Sequence, residues 1–241
     1  MNLVKNKKVL AVIPARAGSK GIEGKNYRTI NNRPLVYWSL LAAEKSSCIT
    51  DVVVTTNCDT VKEITKEFNR TSYKDVHIVS RPEHLCADDS PTEDAILHVL
   101  NHKKYKNIDD IILLQPTSPS RPNDLINRCY KKYVYQQNKC LFTADEYSPF
   151  FWAIDTSLKA YPLCDECIYR PMRQDLNIML YHDNGNIYIV DKKFFLQHKN
   201  RLGSGSSVSI FITNKFESIQ IDTEEDFLFA EKATDAFGNL V

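Results

Sequence analysis

Short continuous apolar runs alternate along the chain with longer stretches whose apolar positions recur at three- and four-residue steps. The runs predict strands over residues 8–13, 51–55, 76–79, 110–114, 140–144, 186–190 and 207–212. The periodic stretches predict helices over 35–44, 60–68, 92–103, 124–135 and 224–236. Strands that are apolar on both faces, each followed by a helix, are the pattern of a parallel sheet covered on both sides, an α/β fold. Ser90-Pro91-Thr92-Glu93 reads as a capping box with proline at the first helical position, and Thr223-Glu224-Glu225-Asp226 as a second box before the last helix. Ligands of such sheets gather at the carboxyl ends of the strands.

One region breaks the alternation. Residues 145–183 are long, aromatic (Tyr147, Phe150, Phe151, Trp152, Tyr161, Tyr169) and interrupted by Pro149, Pro162 and Pro171. Irregular segments this long are usually functional or partner-bound, and aromatics in that number predict an interface. With 241 residues and no shift in composition to mark a linker, a single domain is expected over 1–241, with 145–183 inserted as a dimerisation or lid segment.

Charge and cysteines narrow the function classes. A net charge of +1 argues against a nucleic-acid surface. No apolar run approaches the roughly 20 residues of a membrane span. Residues 1–8 followed by Val9 to Ile13 imitate a signal peptide, but the apolar part is short and runs into Pro14 and Arg16, so a first strand is expected instead. Seven cysteines in a chain too large to need staples predict reduced thiols and a cytoplasmic protein. Cys164-Asp165-Glu166-Cys167 lacks the second Cys/His pair of a zinc site and the strand-then-helix setting of a thioredoxin-type pair, so ordinary thiols are expected there.

The chemistry concentrates just after the first strand, in Ile13-Pro14-Ala15-Arg16-Ala17-Gly18-Ser19-Lys20-Gly21-Ile22-Glu23-Gly24-Lys25-Asn26. Three cations, a hydroxyl and three glycines there suit a polyphosphate, since bare N–H groups in such a turn form an anion-binding concavity. It is not a Walker loop: five residues, not four, separate Gly18 from Gly24, and Asn26 follows Lys25. Nor is it a dinucleotide loop, because Gly18, Gly21 and Gly24 are evenly spaced by three. What it resembles is the signature of the CMP-acylneuraminate (CMP-sialic acid) synthetases, sugar nucleotidyltransferases that carry Ile-Pro-Ala-Arg, Ser-Lys-Gly and Lys-Asn in this order and spacing.

Four further motifs resemble the same family in the same order. They are Arg81-Pro82 leading to Ala87-Asp88-Asp89-Ser90, Leu113-Leu114-Gln115-Pro116-Thr117-Ser118, Asn184-Gly185-Asn186-Ile187-Tyr188-Ile189, and Ile221-Asp222-Thr223-Glu224-Glu225-Asp226. The resemblance implies a three-layer α/β/α, Rossmann-like, mostly parallel sheet with an inserted dimerisation arm. It implies that CTP and an acidic nine-carbon sugar give a CMP-sugar and pyrophosphate. Arg16, Lys20, Lys25 and Asp222 would be catalytic, with CTP at Ala15, Arg16, Gly18, Ser19, Lys25, Asn26 and Arg81. The sugar would face Gln115, Thr117, Ser118, His182, Asn184 and Tyr188, with Arg173 reaching across a homodimer interface, and Asp222 would hold Mg²⁺. The general base stays open between Asp222 and a water activated by the metal.

The departures matter. Ser120 stands where the family often has Leu, Asn186 replaces Ala, and His182 stands where some members have Arg. Gln220 stands where many members have a second aspartate, and Phe150-Phe151-Trp152 follows Pro149 where enzymes for N-acetylneuraminate can carry a basic residue. Together these point to another nonulosonate, such as a legionaminic-type sugar. Two alternatives remain: transfer to another acidic sugar or from another nucleotide, or a non-catalytic nucleotide-sugar-binding homologue.

Overall fold

The computed structural model describes residues 7–18, 21–122, 124–147, 150–176, 179–203, 205–237 and 240–241. In chain order its strands are β1 (Val9–Pro14), β2 (Thr29–Ile30), β3 (Arg33–Pro34), β4 (Asp51–Thr56), β5 (Val76–Ser80), β6 (Asp110–Leu114), β7 (Cys140–Tyr147), β8 (Trp152–Ile154), β9 (Ala160–Pro162), β10 (Leu180–Asp191) and β11 (Val208–Ile212). The helices are α1 (Leu35–Lys45), α2 (Asp59–Asn69), α3 (Thr92–Leu100), α4 (Leu125–Gln136), α5 (Glu166–Tyr169), α6 (Lys192–His198) and α7 (Glu224–Phe237). Among the described residues the main sheet has seven strands in the order β11-β7-β10-β6-β1-β4-β5. The pairings β6–β1–β4–β5 and β7–β11 are parallel, and only β10 runs against its neighbours.

Successive side chains of a strand point to opposite faces, and β1 shows the consequence. Val9, Ala11 and Ile13 join Leu40 of α1, Val61 of α2 and Leu125 of α4 in one core layer. Leu10 and Val12 join Ile96 and Val99 of α3 and Phe195 of α6 in the other. Each Val, Leu, Ile or Phe side chain among them, fully buried, contributes roughly 1.5–3 kcal/mol. The expected three-layer α/β/α sheet is therefore the fold.

A third cluster positions the site. Ile22, Ile30, Leu35 and Trp38 pack against Ile221 and against Phe227 and Ala230 of α7. The loop after β1 is thereby pinned to the start of the last helix, with Arg28 pairing Glu224 at 2.5 Å and stacking on the Phe227 ring.

Several local expectations are corrected. The third helix stops at Leu100 rather than running to 103, and a separate 3₁₀ turn over Lys103–Tyr105 then buries the Tyr105 ring. Pro91 is its cap, not its first helical residue, and the proposed box does not form: no side chain caps the helix, and the Glu93 carboxylate pairs with Arg201 instead. The second box does form, the Thr223 hydroxyl accepting from the Asp226 N–H while Asp226 accepts from the Asp222 and Thr223 N–H groups. Helix α6 was not expected. It is started by Asp191, whose carboxylate accepts the Phe194 N–H at 2.8 Å.

Nor is 145–183 structureless. Its two ends prolong β7 and β10 as an antiparallel pair, Asp145 facing His182 and Tyr147 facing Leu180, and β8, β9 and α5 lie between. Cross-strand pairing supplies the backbone hydrogen bonds that proline and aromatic composition concealed. All seven cysteines are thiols, and Sγ of Cys164 and Cys167 lie 3.5 Å apart as a hydrogen-bonded pair.

Candidate nucleotide-binding site

The carboxyl ends of β1 and β6 open into a cleft of about 290 Å³. Arg16, Gly18, Lys25 and Asn26 line it from the loop after β1, Arg81 from the end of β5, and Gln115 and Thr117 from the turn after β6. Ser90, Pro91 and Thr92, at the start of α3, close the remaining side. Three cations thus face one space that contains polar donors and acceptors on its opposite wall.

Each cation is held by a definite set of partners. Arg16 reaches across the cleft to the Cys86 carbonyl at 2.8 Å and to the Asp88 carboxylate at 2.7 Å. Asn26 donates to the Arg16 carbonyl at 2.9 Å, which ties the two ends of the loop together. Arg81 donates to the Thr55 carbonyl and hydroxyl, and its burial lowers the guanidinium pKa from its ordinary value. Lys25 is 9% exposed, and its ammonium donates to the Ile221 carbonyl at 2.9 Å and to Oδ1 of Asp222 at 3.0 Å. Asp222 stays largely exposed at the cleft edge. The approach of the loop to this residue needs glycine at position 21, where a Cβ would sit 2.3 Å from the Asp222 carbonyl oxygen.

Not every residue singled out in the sequence reaches the cleft. Ala15 is buried, with its N–H on Thr55 and its carbonyl on the Thr56 hydroxyl. Asn184 is buried in the β7–β10 bulge, where its amide bonds Thr143, Thr213 and Ser218. Ser118 is buried beneath the Gln115 turn. Tyr188 is buried, its hydroxyl donates to Asp183, and burial beside that carboxylate raises its pKa to about 12. His182 lies on the strand extension with Nδ1 3.4 Å from Asp145. Ser19 and Lys20 lie outside the described residues, and of Arg173 only the backbone is described, at a 3₁₀ turn over Arg173–Asp175.

Arg121, which the sequence did not single out, and Gln220, noted there only as a departure from the family pattern, both shape the site. Arg121 is 2% exposed and donates to the Ser39 hydroxyl and to the Gln115 and Asn186 carbonyls. Burial pulls the guanidinium pKa down to about 9. Gln220 donates its amide to Oδ2 of Asp222 at 3.0 Å. An arginine in a Ser-Arg-Pro turn looks like surface, and nothing local distinguishes it.

The family model described as cytidylyltransferase matches residues 10–221. The chain belongs to the cytidylyltransferase family. The chain is 30% identical over 229 residues to the N-acylneuraminate cytidylyltransferase of Escherichia coli O18:K1:H7 (strain RS218 / NMEC), covering 92% of the chain. It spans about half, 51%, of that relative's length. It is 28% identical over 234 residues to the CMP-N,N'-diacetyllegionaminic acid synthase of Legionella pneumophila, covering 93% of the chain and 95% of the relative. Among solved structures, a CMP:2-keto-3-deoxy-manno-octonic acid synthetase complexed with CTP superposes with a TM-score of 0.69 at 15% identity, covering 95% of this chain and 99% of that one. That likeness carries the fold.

Proposed function

We propose that the chain transfers a cytidylyl group from CTP to a nonulosonic, sialic-type acid, giving the CMP-sugar and pyrophosphate. The observation that carries this reading is the convergence of Arg16, Lys25 and Arg81 with Gln115 and Thr117 on one cleft, in a member of the cytidylyltransferase family. The relatives named for sialic and legionaminic acids support the acceptor class.

In this reading the anomeric hydroxyl attacks the α-phosphorus. A new C–O–P linkage forms, the bond to the bridging oxygen breaks, pyrophosphate departs in line, and the hydroxyl proton passes to a base. Such a step needs positioning and charge neutralisation more than covalent help. Lys25 and Arg16, with Lys20, hold the triphosphate, and Arg16 exchanges Asp88 for phosphate oxygens. Ala15, Gly18, Ser19 and Asn26 shape the loop around it, and Arg81 flanks the nucleotide. Gln115 and Thr117 present an amide and a hydroxyl to the polyhydroxylated acceptor. Ser118, Asn184 and Tyr188 support that wall from behind, and His182 and Arg173 act from the arm.

Mg²⁺ fits the donors present. Among the described residues no three acidic, histidine or cysteine side chains converge as a metal cage. Mg²⁺ ordinarily takes one or two carboxylates and completes its shell with waters and substrate phosphates, so the exposed carboxylate of Asp222 suffices. When bound, the ion neutralises phosphate charge and makes the acceptor hydroxyl more acidic.

The arm carries the expected homodimer. Trp152, Ile154, Leu158, Tyr161, Leu163 and Tyr169 are all exposed on it, which suits a second copy of this chain. Trp152→Lys with Tyr169→Lys is expected to shift sedimentation from dimer to monomer; a wild-type protein that sediments as a monomer at micromolar concentration refutes the dimer. Among the described residues no helix is long and apolar enough to cross a membrane, and seven thiols suit a cytoplasmic setting.

The test of function is pyrophosphate release from CTP and Mg²⁺ with a panel of acidic sugars: sialic, legionaminic and pseudaminic types and an eight-carbon keto acid. Release with a nine-carbon acid supports the reading. Saturable CTP binding without release from any of them overturns it in favour of a binding protein.

A further inference from the structure

Arg201 stands in the loop between α6 and β11, outside every motif singled out in the sequence. Its neighbour Leu202 packs against the core layer that holds Ile96 and Val99 of α3, and the Leu202 N–H donates to the Asn200 side chain at 2.8 Å. The loop is thereby held at its base while the Arg201 side chain reaches two other elements. It pairs with Glu93 in the first turn of α3. It also lies over the Tyr188 ring of β10, with Cζ 4.5 Å from the ring centre, and donates to the Tyr188 hydroxyl. The Arg201 and Glu93 side chains are only 21% and 17% exposed, so solvent screens this pair far less than an ordinary surface bridge. A guanidinium suits the place, since its planar fork can hold a carboxylate at its edge and lie on a ring with its face.

The contacts continue to the cleft at both ends. At one end Glu93 directly follows Thr92, which with Ser90 and Pro91 closes one side of the cleft. At the other, the Tyr188 hydroxyl donates to Asp183 at 2.9 Å, and Asp183 accepts the Gly185 N–H at 3.1 Å. Gly185 sits at φ +70°, and a Cβ there would meet Gln115 Oε1 at 2.9 Å. Glycine at 185 therefore lets the bulge of β10 approach the amide that lines the cleft after β6. One unbroken set of contacts runs from Gln115 to Thr92, and Arg201 is its middle link.

We infer that Arg201 is a positioning residue for the acceptor sugar: it ties the start of α3 to the Gln115 wall and so fixes the width of the cleft where the acceptor lies. The inference rests on the proposed transfer reaction and adds a residue to it. The cations assigned to the nucleotide have anchors of their own, Arg16 on the Cys86 carbonyl, Lys25 on Asp222 and Arg81 on the Thr55 carbonyl. Loss of Arg201 therefore acts on the acceptor and spares CTP.

The experiment compares the full chain as wild type, Arg201→Met, Glu93→Ala and the double variant. Arg201→Met is expected to raise the KM of the acid that wild type turns over about tenfold, while the KM of CTP stays within about twofold. Glu93→Ala breaks the same link from its other end and should raise the same KM. Because the two side chains act through one link, the double variant should lose no more than Arg201→Met by itself. Amide hydrogen exchange over residues 90–96 should quicken about tenfold in Arg201→Met and stay unchanged over residues 24–28, which a general loss of packing would not spare. Parallel rises in both KM values, additive losses in the double variant, or an unchanged acceptor KM overturn the inference. If wild type releases pyrophosphate with no acid at all, the transfer reading falls; exchange over residues 90–96 then decides whether Arg201 holds that wall, and an unchanged rate overturns it.

Discussion

Lys25→Ala is expected to lower pyrophosphate release from CTP about a thousandfold, the scale on which a single preorganised charge acts in a transition state. The ammonium is almost wholly buried, and its two protein partners, the Ile221 carbonyl and Asp222, fix its direction before any ligand arrives. No reorganisation is then needed as charge builds on the departing phosphate. Lys25→Arg should restore little, because a planar guanidinium fork does not match a point charge seated between one carbonyl and one carboxylate oxygen. The fold should persist, since the loop is also held by the core cluster around Ile22 and Trp38. Steady-state release, with circular dichroism as control, measures this, and near-normal release by a folded Lys25→Ala protein would refute the catalytic assignment.

The second large effect is on stability. Arg121→Met should lower the melting temperature by roughly 5 °C. Replacing both members of a buried ion pair by apolar groups is often neutral, because both desolvated groups disappear together. Here the partners cannot be removed. The Gln115 and Asn186 carbonyls and the Ser39 hydroxyl stay buried after the guanidinium is gone. The Gln115 carbonyl keeps the Ser118 N–H, while the Asn186 carbonyl and the Ser39 hydroxyl lose the guanidinium donor at about 1 kcal/mol each, which outweighs the gain from burying a thioether. Since Gln115 lines the cleft, the folded fraction should also show a raised KM for the acceptor sugar with a smaller change in kcat. Differential scanning calorimetry reads the first effect and the sugar titration the second; an unchanged melting temperature would show that water replaces the guanidinium.

The two variants mark the division between what local sequence reveals and what it hides. The strand at Val9–Pro14 and the helix at Leu35–Lys45 were legible because a continuous apolar run and an apolar step of three to four residues are written within a dozen neighbouring residues. The loop from Arg16 to Asn26 was legible for the same reason, since its cations and glycines are adjacent in sequence. The box at Thr223 and Asp226 spans three residues and was read correctly. The one at Ser90 was not, because Glu93 found a stronger partner in Arg201, a residue 108 positions away.

Fold class, the basic turn and the family resemblance therefore followed from the order of residues alone. The tertiary structure decided which groups meet. Lys25 and Asp222 are separated by 197 positions, and Arg121 and Ser39 by 82. They come together because α7 packs its apolar face on the loop after β1 and because the β6 turn lies over α1. It also sent Asn184 and Tyr188 into the interior, where an amide or phenol without partners would cost more than it gains in the cleft. Periodicity is a property of neighbours along the chain, but the partner of a buried polar group is chosen by packing in three dimensions.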